Sequence, residues 1–161
     1  MPPREAKCGG GPAERRYNAA AVPYRKATIR PYRAEDESLL FSLAREAFGG
    51  QAAWSDRTAL AGLETQTVFV AELEGEHAGY VALHREGSTI RVEQLLVSPR
   101  HGHEGIGNQL IDYAEGYAIA EGATTLQIVV EPDNRLARDF YLRRKFVPTG
   151  DGVLELRLPQ R

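Results

Sequence analysis

The chain has one cysteine, one methionine and one tryptophan among 161 residues. A single thiol, Cys8, excludes an internal disulfide and a multi-cysteine metal site, and no metal is expected. In its glycine-rich surroundings Cys8 reads as a free surface thiol. No apolar run approaches the roughly 20 residues that cross a bilayer, and the first residues lack the apolar stretch of a secretory signal. Without disulfides, signal or span the expected compartment is the cytoplasm, and no membrane partner is expected. An excess of one charge is missing as well: 20 basic and 22 acidic residues leave a net charge of −2.

What is present suits one soluble domain with a tail. Hydrophobic residues make up 42% and charged residues 26% of the chain, ordinary values for a globular protein. A length of 161 residues leaves no room for two full domains. The charge is unevenly spread. Up to Lys26 there are six basic and two acidic residues, a surplus of four, so the remainder carries −6. The same stretch holds Gly9, Gly10, Gly11 and four prolines, with Val22 its only branched aliphatic residue. It buries too little to offset the entropy of ordering. Residues 1–25 therefore read as a flexible basic arm, and residues 26–161 as the folded domain. A basic arm suits nucleic acid or an acidic partner, but the charge of the folded part argues against nucleic acid.

From Ala27 onward the pattern is regular. Thr28–Tyr32 reads as a short strand, placed at an edge by Pro31. Glu35–Phe48 is an amphipathic helix stopped by Gly49 and Gly50. Ser55 reads as the N-cap of a second short helix to about Leu63. Thr67–Leu73, His77–His84 and Thr89–Val97 form an antiparallel meander, because their connections are too short for crossovers. Asn108–Glu121 is a helix, Thr124–Val130 a β-branched strand that must pair in parallel, Arg135–Lys145 a helix capped by Asn134, and Val153–Leu158 a closing strand.

The chemistry lies between the third strand of the meander and the helix that follows it. Strand, glycine-bearing loop and helix N-terminus form an anion site, since glycines let the backbone approach and the free N–H groups and helix dipole favour negative charge. The loop lacks the third glycine of a dinucleotide fingerprint and the Gly-Lys-Ser/Thr of a nucleotide P-loop. On spacing alone an ordinary turn explains it equally well.

Three features together resemble the GNAT superfamily of N-acyltransferases over Ala27 to about Leu158. One is the order of elements. Another is the segment LLVSPRHGHEGIGNQLI (Leu95–Ile111), similar to the family's pyrophosphate loop. The last is the spacing Asn134, Ala137, Phe140, Tyr141, Phe146. Gly102 stands where the family has Gln or Arg, and Lys145 where it often has Gly. The implied fold is α/β (α+β): a mixed, mostly antiparallel sheet of about seven strands, flanked by about four helices and splayed into a V between strands 4 and 5.

The resemblance implies acetyl-CoA as co-substrate. Its pantetheine arm would lie in the V along the backbone of Leu95, Leu96 and Val97. Its pyrophosphate would sit at Gly102, His103, Glu104, Gly105, Ile106, Gly107 and Asn108, with Asn134, Ala137 and Tyr141 also at the cofactor. Arg100, Arg138, Arg143 and Arg144 are either partners for phosphate charge or a solvated face.

Attack of an amine on a thioester needs a deprotonated amine, an oxyanion donor and an acid for the thiolate. Glu93 is the candidate base, read as sharing a face with Leu95 and Val97; the alternative is a charge paired with Arg91 or Arg85. Glu131 is the second choice, ahead of His101 and His103. The resemblance makes Tyr141 the acid and the amide of Leu95 or Leu96 the oxyanion donor. Phe48, Trp54, Glu93 and Glu131 would meet the acceptor, a small-molecule amine in preference to a protein N-terminus or lysine. Ala47–Phe48 and Trp54–Ser55 faintly resemble the ribosomal-protein N-terminal acetyltransferases, but Val129 stands where those enzymes carry a catalytic Glu. A homodimer is compatible with this reading. An alternative of another class is a CoA-binding sensor or interaction module without catalysis.

Overall fold

The structure, a computed structural model, describes residues 25–47, 66–102 and 104–160. The helix expected over Ser55–Leu63, together with Phe48, Trp54 and His103, lies outside these residues, as do residues 1–24. Seven strands form one sheet: β1 Thr28–Pro31, β2 Thr67–Leu73, β3 Glu76–Glu86, β4 Thr89–Val97, β5 Thr125–Val129, β6 Val147–Gly150 and β7 Val153–Arg157. Their spatial order is β1-β2-β3-β4-β5-β7-β6. Only β4 and β5 run parallel; the other neighbours are antiparallel. Among the described residues there are three α-helices, α1 Glu37–Ala47, α2 Ile106–Ala120 and α3 Arg135–Arg143.

Strand β1 lies at the edge, where Pro31 removes no ladder donor that a further strand would need. Strands β2 to β4 form the expected meander, and β1 adds to it antiparallel to β2. Helix boundaries differ from the sequence reading for local reasons. The start of the first helix tightens into a 3₁₀ turn, Ala34–Asp36, because the Asp36 carboxylate accepts the Arg33 N–H at 2.7 Å. Helix α2 begins at Ile106, two residues earlier than Asn108, since Gly105 at φ 83° forms its N-cap. Helix α3 stops at Arg143, because Lys145 turns into the left-handed region at φ 75°. That is the position where the resembled family often has glycine.

The sheet buries both faces. On one, Val81, Leu83, Ile90, Val92, Leu126 and Leu154 pack with Ile106, Leu110 and Ala114 of α2 and Tyr141 of α3. On the other, Leu40 and Leu43 of α1 pack against Val68, Val70, Tyr80 and Ala82. A buried polar staple ties β1, β2 and β3 to the start of α1. Asp36, 2% exposed, accepts two guanidinium N–H groups of Arg30 at 2.7 and 2.8 Å and lies 2.9 Å from His77 Nε2. Arg30 also donates to Glu72 at 3.1 Å. The Arg30 guanidinium holds the Asp36 carboxyl well below the usual carboxylate range.

Candidate active site

The site begins where two strands stop pairing. Strands β4 and β5 are in register from Thr89 opposite Thr125 to Val92 opposite Ile128. Beyond that point β4 runs on from Glu93 to Val97 with β3 alone as its partner. Ser98 N donates to Ala78 O at 2.8 Å. Backbone groups alternate along a strand, so Leu96 faces β3 in the same way, and the amides of Leu95 and Val97 face the gap. Of the two amides considered as oxyanion donors, that of Leu95 is the one facing the gap. Leu96 contributes its side chain to the cluster on the α1 face.

The gap opens onto the N-terminus of α2. Gly105 adopts a left-handed φ of 83°, and no side chain caps the helix. The first intrahelical bond is Gln109 N to Gly105 O at 3.1 Å, which leaves the N–H groups of Ile106, Gly107 and Asn108 without helical acceptors. A Cβ at Gly107 would stand 3.7 Å from both Val97 Cγ2 and Phe140 Cζ. Glycine thus keeps open the corner between β4, α2 and α3. Uncapped amides beside a corner into which residue 107 puts no side chain fit a pyrophosphate.

Helix α3 flanks the gap. Tyr141 is 4% exposed and packs edge-on to Phe140 and Phe146, with centroid distances of 5.0 and 5.3 Å. Burial raises the pKa of its hydroxyl. Asn134 caps α3 by accepting the Ala137 N–H at 3.1 Å, and its amide N–H₂ stays available as a donor. Glu131 is exposed just after β5. Between α2 and α3 lies a cavity of about 360 Å³ lined by Asn108, Glu115, Phe140, Arg143, Arg144 and Lys145. Arg144 is engaged there by Asp112, by Glu115 at 3.0 Å and by Asn108 at 2.8 Å. Arg143 and Lys145 are the exposed cations on this rim.

Glu93 does not share a face with Leu95 and Val97. Ala82 opposes Gln94 and Leu83 opposes Val92, so Glu93 is the extra residue of a β-bulge. The bulge shifts the alternation by one. Ile90, Val92, Leu95 and Val97 all turn to the α2 face, while Glu93 pairs with Arg91 at 3.1 Å. Arg91 also binds Glu86 and reaches Gln127 at 3.1 Å. Glu93 thus stands beside the gap on the α1 side of the sheet.

The model for the acetyltransferase (GNAT) family matches residues 30–146. The chain belongs to this family. An uncharacterised N-acetyltransferase from Archaeoglobus fulgidus is 33% identical over 81 residues, covering 46% of this chain and 55% of that protein. The chain thus spans about half the length of the curated relatives it matches. Two solved structures share the fold. The ribosomal-protein-S18-alanine N-acetyltransferase from Escherichia coli aligns with a TM-score of 0.73 at 19% identity, covering 84% of this chain and 96% of that one. The PaiA N-acetyltransferase from Thermoplasma acidophilum, in complex with coenzyme A, aligns at 0.70 and 20% identity, covering 82% and 99%.

In this GNAT domain several contacts near the site escaped the sequence reading. His101, considered as a base, is buried between Glu104 at 3.0 Å and Glu76 at 3.2 Å. Tyr80 donates its hydroxyl to Gln94 at 2.5 Å, beside the bulge. Arg25, the last residue assigned to the arm, is bonded to the domain through Glu74 and Glu104. Gln109 is 8% exposed although it interrupts the apolar face of α2; that interruption was its one visible signal. Among the described residues, no group of His, Cys, Asp or Glu is placed to hold a metal ion, and no helix is long and apolar enough to cross a membrane.

Proposed function

We propose that the protein is an N-acetyltransferase that moves an acetyl group from acetyl-CoA to a primary amine by direct attack. The observation that carries this reading is the end of β4–β5 pairing at Val92, with the amides of Leu95 and Val97 facing a gap that leads to the uncapped helix at Gly105–Asn108. An extended pantetheine arm would pair with β4 as an added strand. The pyrophosphate would sit on the α2 amides, and the nucleotide end in the cavity beside Phe140, near Arg143 and Lys145.

The acceptor approaches from the α1 side, where Glu93 and Gln94 lie. Glu93, directly or through a water, takes one proton from the ammonium. The amine nitrogen then bonds to the thioester carbon, and the developing oxyanion accepts a hydrogen bond from Leu95 N–H. As the C–S bond breaks, the sulfur takes the electron pair, and the nitrogen, now bonded to carbon, gives its second proton to water to leave a neutral amide. A tyrosine whose pKa burial has raised above its ordinary value stays protonated at neutral pH. Since a thiol titrates near ~8.5, Tyr141 acts by donating a hydrogen bond to the departing thiolate, which gains its proton from solvent. The acceptor is a small-molecule amine in preference to a protein N-terminus or lysine, because Val129 stands where the ribosomal-protein acetyltransferases have their glutamate.

One observation favours a binding module without catalysis: Arg91 already engages Glu93. A panel of small amines and peptide N-termini with acetyl-CoA, followed by thiol release, separates the readings. Turnover with an amine above the hydrolysis background supports the enzyme. Tight CoA binding without turnover on any amine supports the module, and absence of CoA binding rejects both.

A further inference from the structure

The turn that leads into α2, Glu104–Gly107, carries an acid, Glu104, in the place where a phosphate would arrive. A carboxylate beside a phosphate repels it by Coulomb's law, the more so where water is excluded, unless its charge is balanced and held aside. Both are done from behind the loop. One Glu104 oxygen lies 3.0 Å from His101 Nδ1, and the other 3.5 Å from the Arg25 guanidinium. Arg25 N–H also donates to Glu104 O at 3.3 Å.

Gln109 completes the arrangement. It points back from the first turns of α2 to the segment entering β1. Its Oε1 accepts the Ala27 N–H at 2.8 Å, and its Nε2 donates to Arg25 O at 2.7 Å and to Gly105 O at 3.2 Å. One buried amide therefore ties the residues before β1 to the N-cap glycine whose left-handed backbone shapes the loop.

We propose that Arg25 and Gln109 are positioning residues for the phosphate loop: they strap Arg25–Ala27 across its back, hold Glu104 away from the anion and fix the Gly105 backbone. This rests on the reading of the loop as the CoA pyrophosphate site. Neither side chain need touch the cofactor. A methionine at Gln109 nearly keeps the volume and loses all three hydrogen bonds. Loss of the Arg25 guanidinium leaves Glu104 with His101 alone.

The test uses the full-length chain and calorimetric titration with CoA, together with steady-state kinetics against acetyl-CoA and the best amine. Gln109→Met and Arg25→Met are each expected to raise the CoA dissociation constant and the KM for acetyl-CoA about 5- to 30-fold, with kcat and the KM for the amine within twofold of wild type. Adding Glu104→Gln to Arg25→Met is expected to recover most of the loss, because it removes the misplaced charge. A merely stabilising role would lower the melting temperature without this split and without rescue. As a control, Asp36→Asn, remote from the loop, is expected to lose stability and keep its CoA affinity. If Gln109→Met unfolds at the assay temperature, Arg25→Met and its rescue decide the matter. Wild-type CoA binding with unchanged affinity in the folded variants overturns the strap alone. Absence of CoA binding by the wild type overturns the strap and the function reading together.

Discussion

Tyr141 presents one hydroxyl on a ring otherwise packed between Phe140 and Phe146. Tyr141→Phe keeps that packing, so it isolates the hydroxyl. The expected result is a fall in kcat on the order of 10- to 100-fold, about what one hydrogen bond to a charged group is worth, with CoA affinity unchanged and the melting temperature near wild type. Full turnover would mean that the tyrosine is core alone. For Glu93→Gln, the pH profile of kcat/KM is the informative measurement. A base is most needed at neutral pH, so the loss should shrink as pH approaches the pKa of the free amine; a loss equal at every pH would make Glu93 an orienting group. Asp36 is a stability residue. Asp36→Asn leaves Arg30 and His77 facing a neutral, poorly matched partner in a buried site, and chemical denaturation should show a loss of about 3–5 kcal/mol.

At the scale of elements, the sequence was legible wherever the signal was local. The β-branched runs of β2 to β5, the short turns between β2, β3 and β4, and the cap at Asn134 all depend on neighbours in the chain. The bulge at Glu93 does not. It exists only in the pairing of β4 with β3, so strict alternation put Glu93 on the wrong face. Gln109 and His101 were opaque for the same reason: their partners lie at Arg25, Ala27 and Glu76, far away in sequence. The helix expected over Ser55–Leu63, with Phe48 and Trp54, falls outside the described residues. The loop yields a prediction at this scale. Gly107→Val places a branched side chain in the corner between Val97 and Phe140 and should weaken CoA binding tenfold or more, roughly 1.4 kcal/mol, with the far-ultraviolet dichroism of the fold retained. Equal affinity by calorimetry would remove the pyrophosphate from this loop.

For the whole molecule, acid sensitivity follows from the polar staple. Folded Asp36 keeps its charge well below the ordinary carboxylate range because Arg30 binds it; in the unfolded chain it protonates near ~3.9. Its contribution is therefore fully present above about pH 5 and is lost as pH falls toward the folded-state value, by up to roughly 1.4 kcal/mol per pH unit. Glu72, held low by the same arginine, acts with the same sign. Denaturant midpoints measured from pH 6 down to pH 3 should fall more steeply for the wild type than for Asp36→Asn. Removing residues 1–24 should leave melting temperature and turnover nearly unchanged, whereas removal through Ala27 should lower CoA affinity by taking away the strap.

The position of β5 has a consequence for synthesis. Strands β2 to β4 can assemble hairpin by hairpin as the chain emerges. Strand β5 needs α2 behind it to run parallel to β4, and it needs β7 on its other edge, where Thr125–Val129 pairs with Val153–Arg157. Such non-local pairing forms late and slowly. The cleft is thus finished only after translation has passed Arg157. A ribosome that stops before Val153 releases a chain whose Leu126 lacks the neighbour supplied by Leu156 and whose β5 edge is open. That product is a substrate for chaperones and proteases, not a slower enzyme.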